Sequence, residues 1–391
     1  MRKVIAALVG LLLAGIAAVP AHAETVRSKQ WHLDAMKADE IWKISTGKGI
    51  TVAVIDTGVA RIPELEGRVV PGMNFTPETI YGDERVDYGN HGTSMAATIA
   101  GNGKGPGGAE SAYGLAPDVK IQPLRIDMNG NGMSVNTTLA DAIRYAADSE
   151  ARILNVSLGW SDSDVLRGAV KHALAKGKLI FAAVGNDGDT QVNYPAAVPG
   201  VVGVGAVDAD GAATKESTHN ASVDVSAPGV DIISGCSSKT GLCTSHGTSD
   251  ATALASASAA LLWSAHPTWT NNQILRVLLN TAGKPVDGAE RNDYIGYGVV
   301  RPRVALPTPG DPGPADVFPL PDLAAAASAS ASAPANAPSP GGKITPSPAP
   351  EAATAVDKGD GDSLPWIALG LVACVLIGGA VAAVVVRRTR R

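Results

Sequence analysis

The chain has 391 residues, 45% apolar and 18% charged, and a formal net charge of −5. This composition excludes a mainly disordered protein, and the absence of a polycationic balance argues against nucleic acid as a partner. Three cysteines exclude a disulfide-dense mini-scaffold and a four-cysteine zinc site.

In chain order, Arg2 and Lys3 precede a nearly continuous apolar run, Val4 to Val19, that closes at Ala21-His22-Ala23. Residues 1–23 are expected to be a secretory signal peptide cleaved after Ala23, because the run falls short of the roughly 20 residues of a membrane span. Residues 24–305 form the expected globular body, 282 residues and enough for one large core. Within it, Ile50 to Ile55 is a β-branched run ending at Asp56-Thr57-Gly58, and Ser94 to Ile99 is helical. Val119 to Ile126 is strand-like, and Thr137 to Asp148 has apolar residues at helical spacing. Arg152 to Leu158 is strand-like again. Leu166, Val170, Ala173 and Leu174 mark a helix face stopped by Gly177. Leu179 to Val184 and Val201 to Val207 read as buried strands, and an Ala-rich helix runs from Ser249 to about Ser264. Strands alternating with helices predict an α/β fold, a mainly parallel sheet with helices on both faces.

Leu306 to Ser363 carries 12 prolines in 58 residues and an Ala/Ser run from Ala324 to Ala333. It is expected to be a disordered linker, spanning about 40–45 Å as a coil and up to roughly 180 Å as polyproline. Leu364 to Val386 is 23 residues without a charge, and Arg387, Arg388, Arg390 and Arg391 follow. That pattern predicts one transmembrane helix, 364–386, with the basic tail 387–391 cytoplasmic and the body extracytoplasmic at the cell membrane. No Leu-Pro-x-Thr-Gly sorting motif precedes the span.

In parallel sheets, ligands sit beyond the carboxyl ends of strands. Four polar residues occupy such places beside glycine: Asp56 after the first strand, His91 in Asn90-His91-Gly92-Thr93, Asn186 in Gly185-Asn186-Asp187-Gly188, and Ser249 in Gly247-Thr248-Ser249. Each alone is unspecific. Together they are the types that acyl transfer needs: a hydroxyl nucleophile, an imidazole base, a carboxylate to orient it, and an amide donor for the oxyanion. A helix opening at Ser249 adds backbone N–H groups and a favourable dipole.

The order Asp, His, Asn, Ser, in Val54-Ile55-Asp56-Thr57-Gly58, His91-Gly92-Thr93, Ala182-Ala183-Val184-Gly185-Asn186 and Gly247-Thr248-Ser249, resembles the subtilisin-like serine proteases of peptidase family S8. The likeness runs from about Gly47 to Gly283 and takes in Asn155 to Gly159, Val204 to Val207, Ala227-Pro228-Gly229 and a helix through His266 to Thr270. The plan of leader, body, Pro-rich linker, span and arginine tail, with Trp31-His32-Leu33-Asp34 before the body, resembles the mycosins, membrane-anchored proteases of type VII secretion in actinobacteria.

The resemblance implies a subtilisin-like three-layer fold and a serine endopeptidase that cleaves exported polypeptides through an acyl-enzyme. Type VII secretion membrane components become possible partners. Asp56 would orient, His91 act as base then acid, Ser249 attack, and Asn186 with the Ser249 N–H hold the oxyanion. Leu124, Arg125 and Ile126, with Ser157, Leu158 and Gly159, match segments that pair with substrate backbone. Ala183 and Gly185 match a wall of the primary specificity pocket. Three departures stand out: Asp250 where most relatives carry Met, Ala253 where they carry Pro, and Ser94 where many carry His. These leave open a second reading, a catalytically weak or silent module that binds peptides or stabilises a secretion complex.

Few residues separate Ala23 from the body, so activity without removal of a long prodomain is expected. Cys236 and Cys243 are expected to form a disulfide in an exported body, worth roughly 2–3 kcal/mol and stiffening the loop that feeds Ser249. Cys374 falls within the span. His246 is expected to be exposed. His32, His172, His219 and His266 show no ligand spacing, so no metal and no cofactor are expected. Asp83, Glu84 and Asp87 read as a solvated acidic loop, and Gly101 to Gly105 as a flexible one.

Overall fold

The computed structural model describes residues 24–128 and 132–325. The leader 1–23, the expected linker from residue 326 to 363, the expected span 364–386 with Cys374, and the tail 387–391 lie outside the described residues. Eleven strands are described: β1 Thr51–Asp56, β2 Met73–Asn74, β3 Asn102–Lys104, β4 Glu110–Tyr113, β5 Lys120–Arg125, β6 Ile153–Val156, β7 Leu179–Ala183, β8 Val202–Val207, β9 Val225–Pro228, β10 Ile232–Gly235 and β11 Leu242–Ser245. The α-helices are α1 Trp31–Ala35, α2 Ala38–Ile41, α3 His91–Ala100, α4 Gly132–Ala147, α5 Asp164–Ala175, α6 Thr248–Ala265, α7 Asn271–Thr281 and α8 Pro302–Ala305.

The central sheet has seven strands in the order β2-β5-β1-β6-β7-β8-β9, every neighbouring pair parallel. Both faces are buried, which is why its strands read as apolar runs rather than alternating ones. Successive residues of β1 serve opposite layers. Val52 and Val54 pack with α3 and α6, while Ala53 and Ile55 pack with α4 and α5. Strand order reverses around β1, with β5 on one side and β6 on the other, so the crevice at its carboxyl end is the place for a ligand.

Helix α6 is buried on every side from Thr248 to Trp263. Small residues let it approach the sheet closely, and two of its buried hydroxyls are spent within the helix. Thr252 Oγ1 donates to the Thr248 carbonyl and Ser258 Oγ to that of Leu254, each at 2.7 Å. Among the described residues, no helix is long and apolar enough to cross a membrane.

Several expectations change. The segment 266–270 is not helical; it joins α6 to α7, and Thr270 caps α7 in a capping box with Gln273. Gly101 to Gly105 is no free loop, since β3 within it pairs antiparallel with β4. The linker does not begin at Leu306. Leu306 and Leu320 are buried and Phe318 packs on the same core, while Arg276 donates to the carbonyls of Pro312, Pro314 and Val317. A few apolar residues and unpaired carbonyls were enough to dock a proline-rich stretch that has no periodicity. At the other end, Gln30 is fully buried, donating to the carbonyls of Tyr113 and Ile233, and Trp31 Nε1 donates to the Val230 carbonyl.

Candidate active site

Asp56 is the last residue of β1 and is fully buried. Its Oδ1 accepts the Thr57 N–H at 2.7 Å and stands 2.7 Å from His91 Nδ1. His91 opens α3, which is brought against the end of β1 by Gly92. A β-carbon there would lie 2.2 Å from the Gly58 carbonyl oxygen and 2.9 Å from Asp56 Cβ, so only glycine allows the approach. The Gly92 N–H donates to Thr57 Oγ1 at 3.0 Å.

Asp87 completes this half of the site. Its Oδ2 accepts from the N–H and hydroxyl of Thr93, at 2.8 and 2.6 Å, and its Oδ1 accepts from Thr57 Oγ1 at 2.9 Å. It is buried. The solvated-loop expectation therefore fails for Asp87, which ties the first turn of α3 to the residue after Asp56. The aspartate four residues before His91 was the available signal; it was hidden among the other acids of its loop. The buried Asp56 carboxylate beside Nδ1 raises the His91 pKa to about 9, against the opposing effect of burial, with lesser help from Asp250 and Asp87.

Ser249 is the second residue of α6. Its Oγ donates to the Ser157 carbonyl at 3.0 Å, and Ser157 Oγ donates back to the Ser249 carbonyl at 3.0 Å. In this conformation the hydroxyl is thus turned to Ser157 and not to His91, whose Nε2 makes no hydrogen bond among the described residues. Asn186 follows β7 closely. Its Oδ1 accepts from the N–H and hydroxyl of Thr248, at 2.8 and 2.9 Å. That fixes the amide and leaves Nδ2 as the free donor beside the start of α6. Gly247 makes room: a β-carbon there would meet Asn186 Nδ2 at 2.9 Å, and its φ of +126° suits glycine.

Leu124, Arg125 and Ile126 do not pair with substrate. All three are buried. Leu124 and Arg125 lie in β5, whose two edges are taken by β1 and β2, and the Ile126 N–H donates to the Asp56 carbonyl. A strand bonded on both sides has no edge to offer. Arg125 instead donates to the carbonyls of Tyr81 and Asp83 and stacks 5.5 Å from the Tyr88 ring, fixing the loop that leads to His91. By contrast, Leu158 and Gly159 lie beyond β6, half-buried, and their backbone groups make no hydrogen bond among the described residues. Ala183 ends β7, and Gly185 has a φ of +114°. Asn193, which sequence reasoning missed, spans the two walls. It lies 3.2 Å from a β-carbon placed on Gly159 and 2.3 Å from one on Gly185, and its Nδ2 donates to the Val184 carbonyl at 2.8 Å.

Ser94 is buried and accepts from Ser234 Oγ at 3.1 Å. Cys236 and Cys243 are disulfide-bonded. His246 is exposed, its Nδ1 within 2.9 Å of both Glu216 oxygens. Among the described residues, no group of three His, Cys, Asp or Glu could hold a metal ion.

A buried carboxylate on an imidazole, and a serine at a helix N-terminus beside a fixed amide, are the parts of an acyl-transfer centre. The subtilase family model matches residues 47–298. The chain belongs to the subtilase family. It is 39% identical over 200 residues to the thermophilic serine proteinase of Bacillus sp. strain AK1, covering 50% of this chain and 48% of that protein. MycP1 from Mycobacterium smegmatis is similar in structure, with a TM-score of 0.66 at 27% identity, over 76% of this chain and 89% of that one. MycP3 protease from the type VII (ESX-3) secretion system gives 0.63 at 29% identity, over 73% and 90%. This subtilase is a subtilisin-like serine protease with mycosin structural neighbours.

Proposed function

We propose that this subtilase is a membrane-anchored, extracytoplasmic endopeptidase in which Asp56, His91 and Ser249 form the catalytic triad. The observation that carries the reading is the 2.7 Å contact between His91 Nδ1 and buried Asp56. It fixes the ring through Nδ1 and leaves Nε2 as the nitrogen that takes a proton once His91 is neutral. Rotation of the Ser249 side chain away from Ser157 delivers that proton, and the alkoxide attacks the substrate carbonyl. The oxyanion is received by Asn186 Nδ2 and the Ser249 N–H. His91 then protonates the leaving amine, and water hydrolyses the acyl-enzyme by the reverse sequence. Free backbone groups at Leu158 and Gly159 pair with the substrate chain as an added strand. The apolar run 364–386 with its arginine tail supports the anchor, and the type VII secretion proteases among the structural neighbours support exported polypeptides as substrates.

A specific observation favours the silent reading as the alternative. The seryl hydroxyl is engaged by Ser157, and His91 holds its proton up to about pH 9. Labelling with a fluorophosphonate, against a Ser249→Ala control, decides between them. We expect labelling of the native chain that increases with pH, because His91 must lose its proton to act. Equal labelling of both proteins removes the catalytic reading.

A further inference from the structure

Among the described residues, Tyr81 and Tyr88 are the most exposed aromatic side chains, at 84% and 70%. Both belong to the loop that leads from β2 to His91. The backbone of that loop is firmly tied. Arg125 Nη1 donates to the carbonyls of Tyr81 and Asp83, each at 3.2 Å, and Asn74 Nδ2 donates to that of Gly82 at 3.0 Å. The Glu84 carbonyl accepts the Val59 N–H at 3.0 Å, and buried Asp87 accepts from Thr57 and Thr93. Tyrosines on a fixed backbone lose little freedom on contact, only their own side-chain torsions, and rings so placed act as binding anchors.

The rings stand at the same end of the sheet as the Asp56–His91 pair. Arg125 is the register partner of Asp56 across β5 and β1, and its Cδ lies 3.3 Å from a β-carbon placed on Gly58. Its guanidinium is 5.5 Å from the centre of the Tyr88 ring, and Tyr88 Oη donates to the Tyr81 carbonyl at 3.2 Å. Tyr88 thus lies at the carboxyl end of β5, while Leu158 and Gly159 lie just beyond β6. Between those two strands runs β1, which ends at Asp56. A chain crossing the end of β1 meets free backbone groups on one flank and tyrosine rings on the other.

We propose that Tyr81 and Tyr88 form a substrate-binding platform, continuous with the crevice, that takes apolar side chains of an extended polypeptide. The proposal rests on the reading of that crevice as a peptide-binding site. The Tyr88 hydroxyl is already engaged, so its ring is what it offers. Arg125 stands on one side of that ring, and a lysine or arginine brought to the other side would meet a like charge. An apolar side chain meets no such repulsion and removes ring surface from water. The Tyr81 side chain makes no hydrogen bond or ring contact among the described residues, so its ring is available without disturbing the fold.

The test uses the full chain carrying Ser249→Ala, so that bound peptide is not cut. Two fluorescein-tagged peptides of equal length are followed by fluorescence anisotropy, one of alternating leucine and serine, the other of alternating glycine and serine. The expected result is binding of the leucine peptide at least tenfold more tightly than the glycine peptide. Adding Tyr81→Ala should weaken the leucine peptide at least fivefold and leave the melting temperature unchanged, while Tyr81→Phe, which keeps the ring, should bind as before. Equal affinity for the two peptides, or an undiminished affinity in Tyr81→Ala, overturns the proposal. A loss as large in Tyr81→Phe also overturns it, because the hydroxyl and not the ring would then be the contact. Absence of fluorophosphonate labelling in the native chain breaks the catalytic reading instead, while the anisotropy still decides the platform.

Discussion

The two halves of the site are built to different standards of readiness. On the β1–α3 side, Asp56, Thr57, Asp87, His91, Gly92 and Thr93 form one closed set of hydrogen bonds, and Gly92 leaves no slack between strand and helix. On the α6 side, Ser249 is well placed but its hydroxyl is turned to Ser157, and its neighbour is a buried carboxylate. The difference teaches where control can lie. The Asp56–His91 contact is fixed by folding, so in the proposed mechanism pH and substrate would act on the rotation of Ser249 and the proton on His91.

Asp56→Asn attacks the finished half and carries the largest expected effect, about 10³–10⁴-fold in kcat/KM or labelling rate, through loss of the tautomer and of imidazolium stabilisation. It also tests the pairing energetically. The His91 pKa is about 9 in the folded protein against 6.5 for an unperturbed histidine. The ion pair therefore contributes stability that is complete below about pH 6.5 and lost as pH rises through about 9. Denaturant titrations should show the variant's stability deficit at pH 6 shrinking by pH 10. A deficit that does not change with pH means that the pair is structural and not charged.

Asn186→Ala tests the less finished half. With Thr248 holding its Oδ1, the amide is pre-aimed, and its loss should cost about 10²–10³-fold in kcat with little change in KM. A change confined to KM would make Asn186 a binding contact and leave the oxyanion to backbone groups.

The sequence exposed the parts whose chemistry is tied to strand ends. Asp56, Asn186 and Ser249 stand beside apolar runs or glycines that betray element termini, and the parallel sheet followed from the alternation of those runs. What it hid depends on distant pairing. Leu124 to Ile126 look like a strand available to substrate, but nothing local reveals that β2, only two residues long, closes the far edge of β5. Asp87 looks like one more surface acid until Thr57 and Thr93 arrive from two other elements. Asn193 lies in a loop without periodicity, and only the meeting of Gly159 with Gly185 gives it a place. Short strands such as β9, β10 and β11 carry too few residues for a period to register.

Cys236→Ser has the smallest expected effect on rate and bears on both halves at once. The disulfide clamps the β10–β11 hairpin, joining Cys236 just past β10 to Cys243 within β11. From this hairpin, Ser245 reaches Asp250, while the Ser237 N–H donates to Asn90 Oδ1 at 2.9 Å, one residue before His91. The loop thus touches the residue before His91 and the residue after Ser249. Opening the bridge should lower stability by roughly 2–3 kcal/mol, a fall of several degrees in Tm. Labelling at a permissive temperature should slow by no more than about threefold, because the hydrogen bonds around His91 and Asn186 hold without the bridge. Unchanged melting would show that the hairpin pairing alone closes the loop. A loss of labelling far beyond threefold, with the fold intact, would mean that the nucleophile half depends on the hairpin for its geometry and not only for its stability.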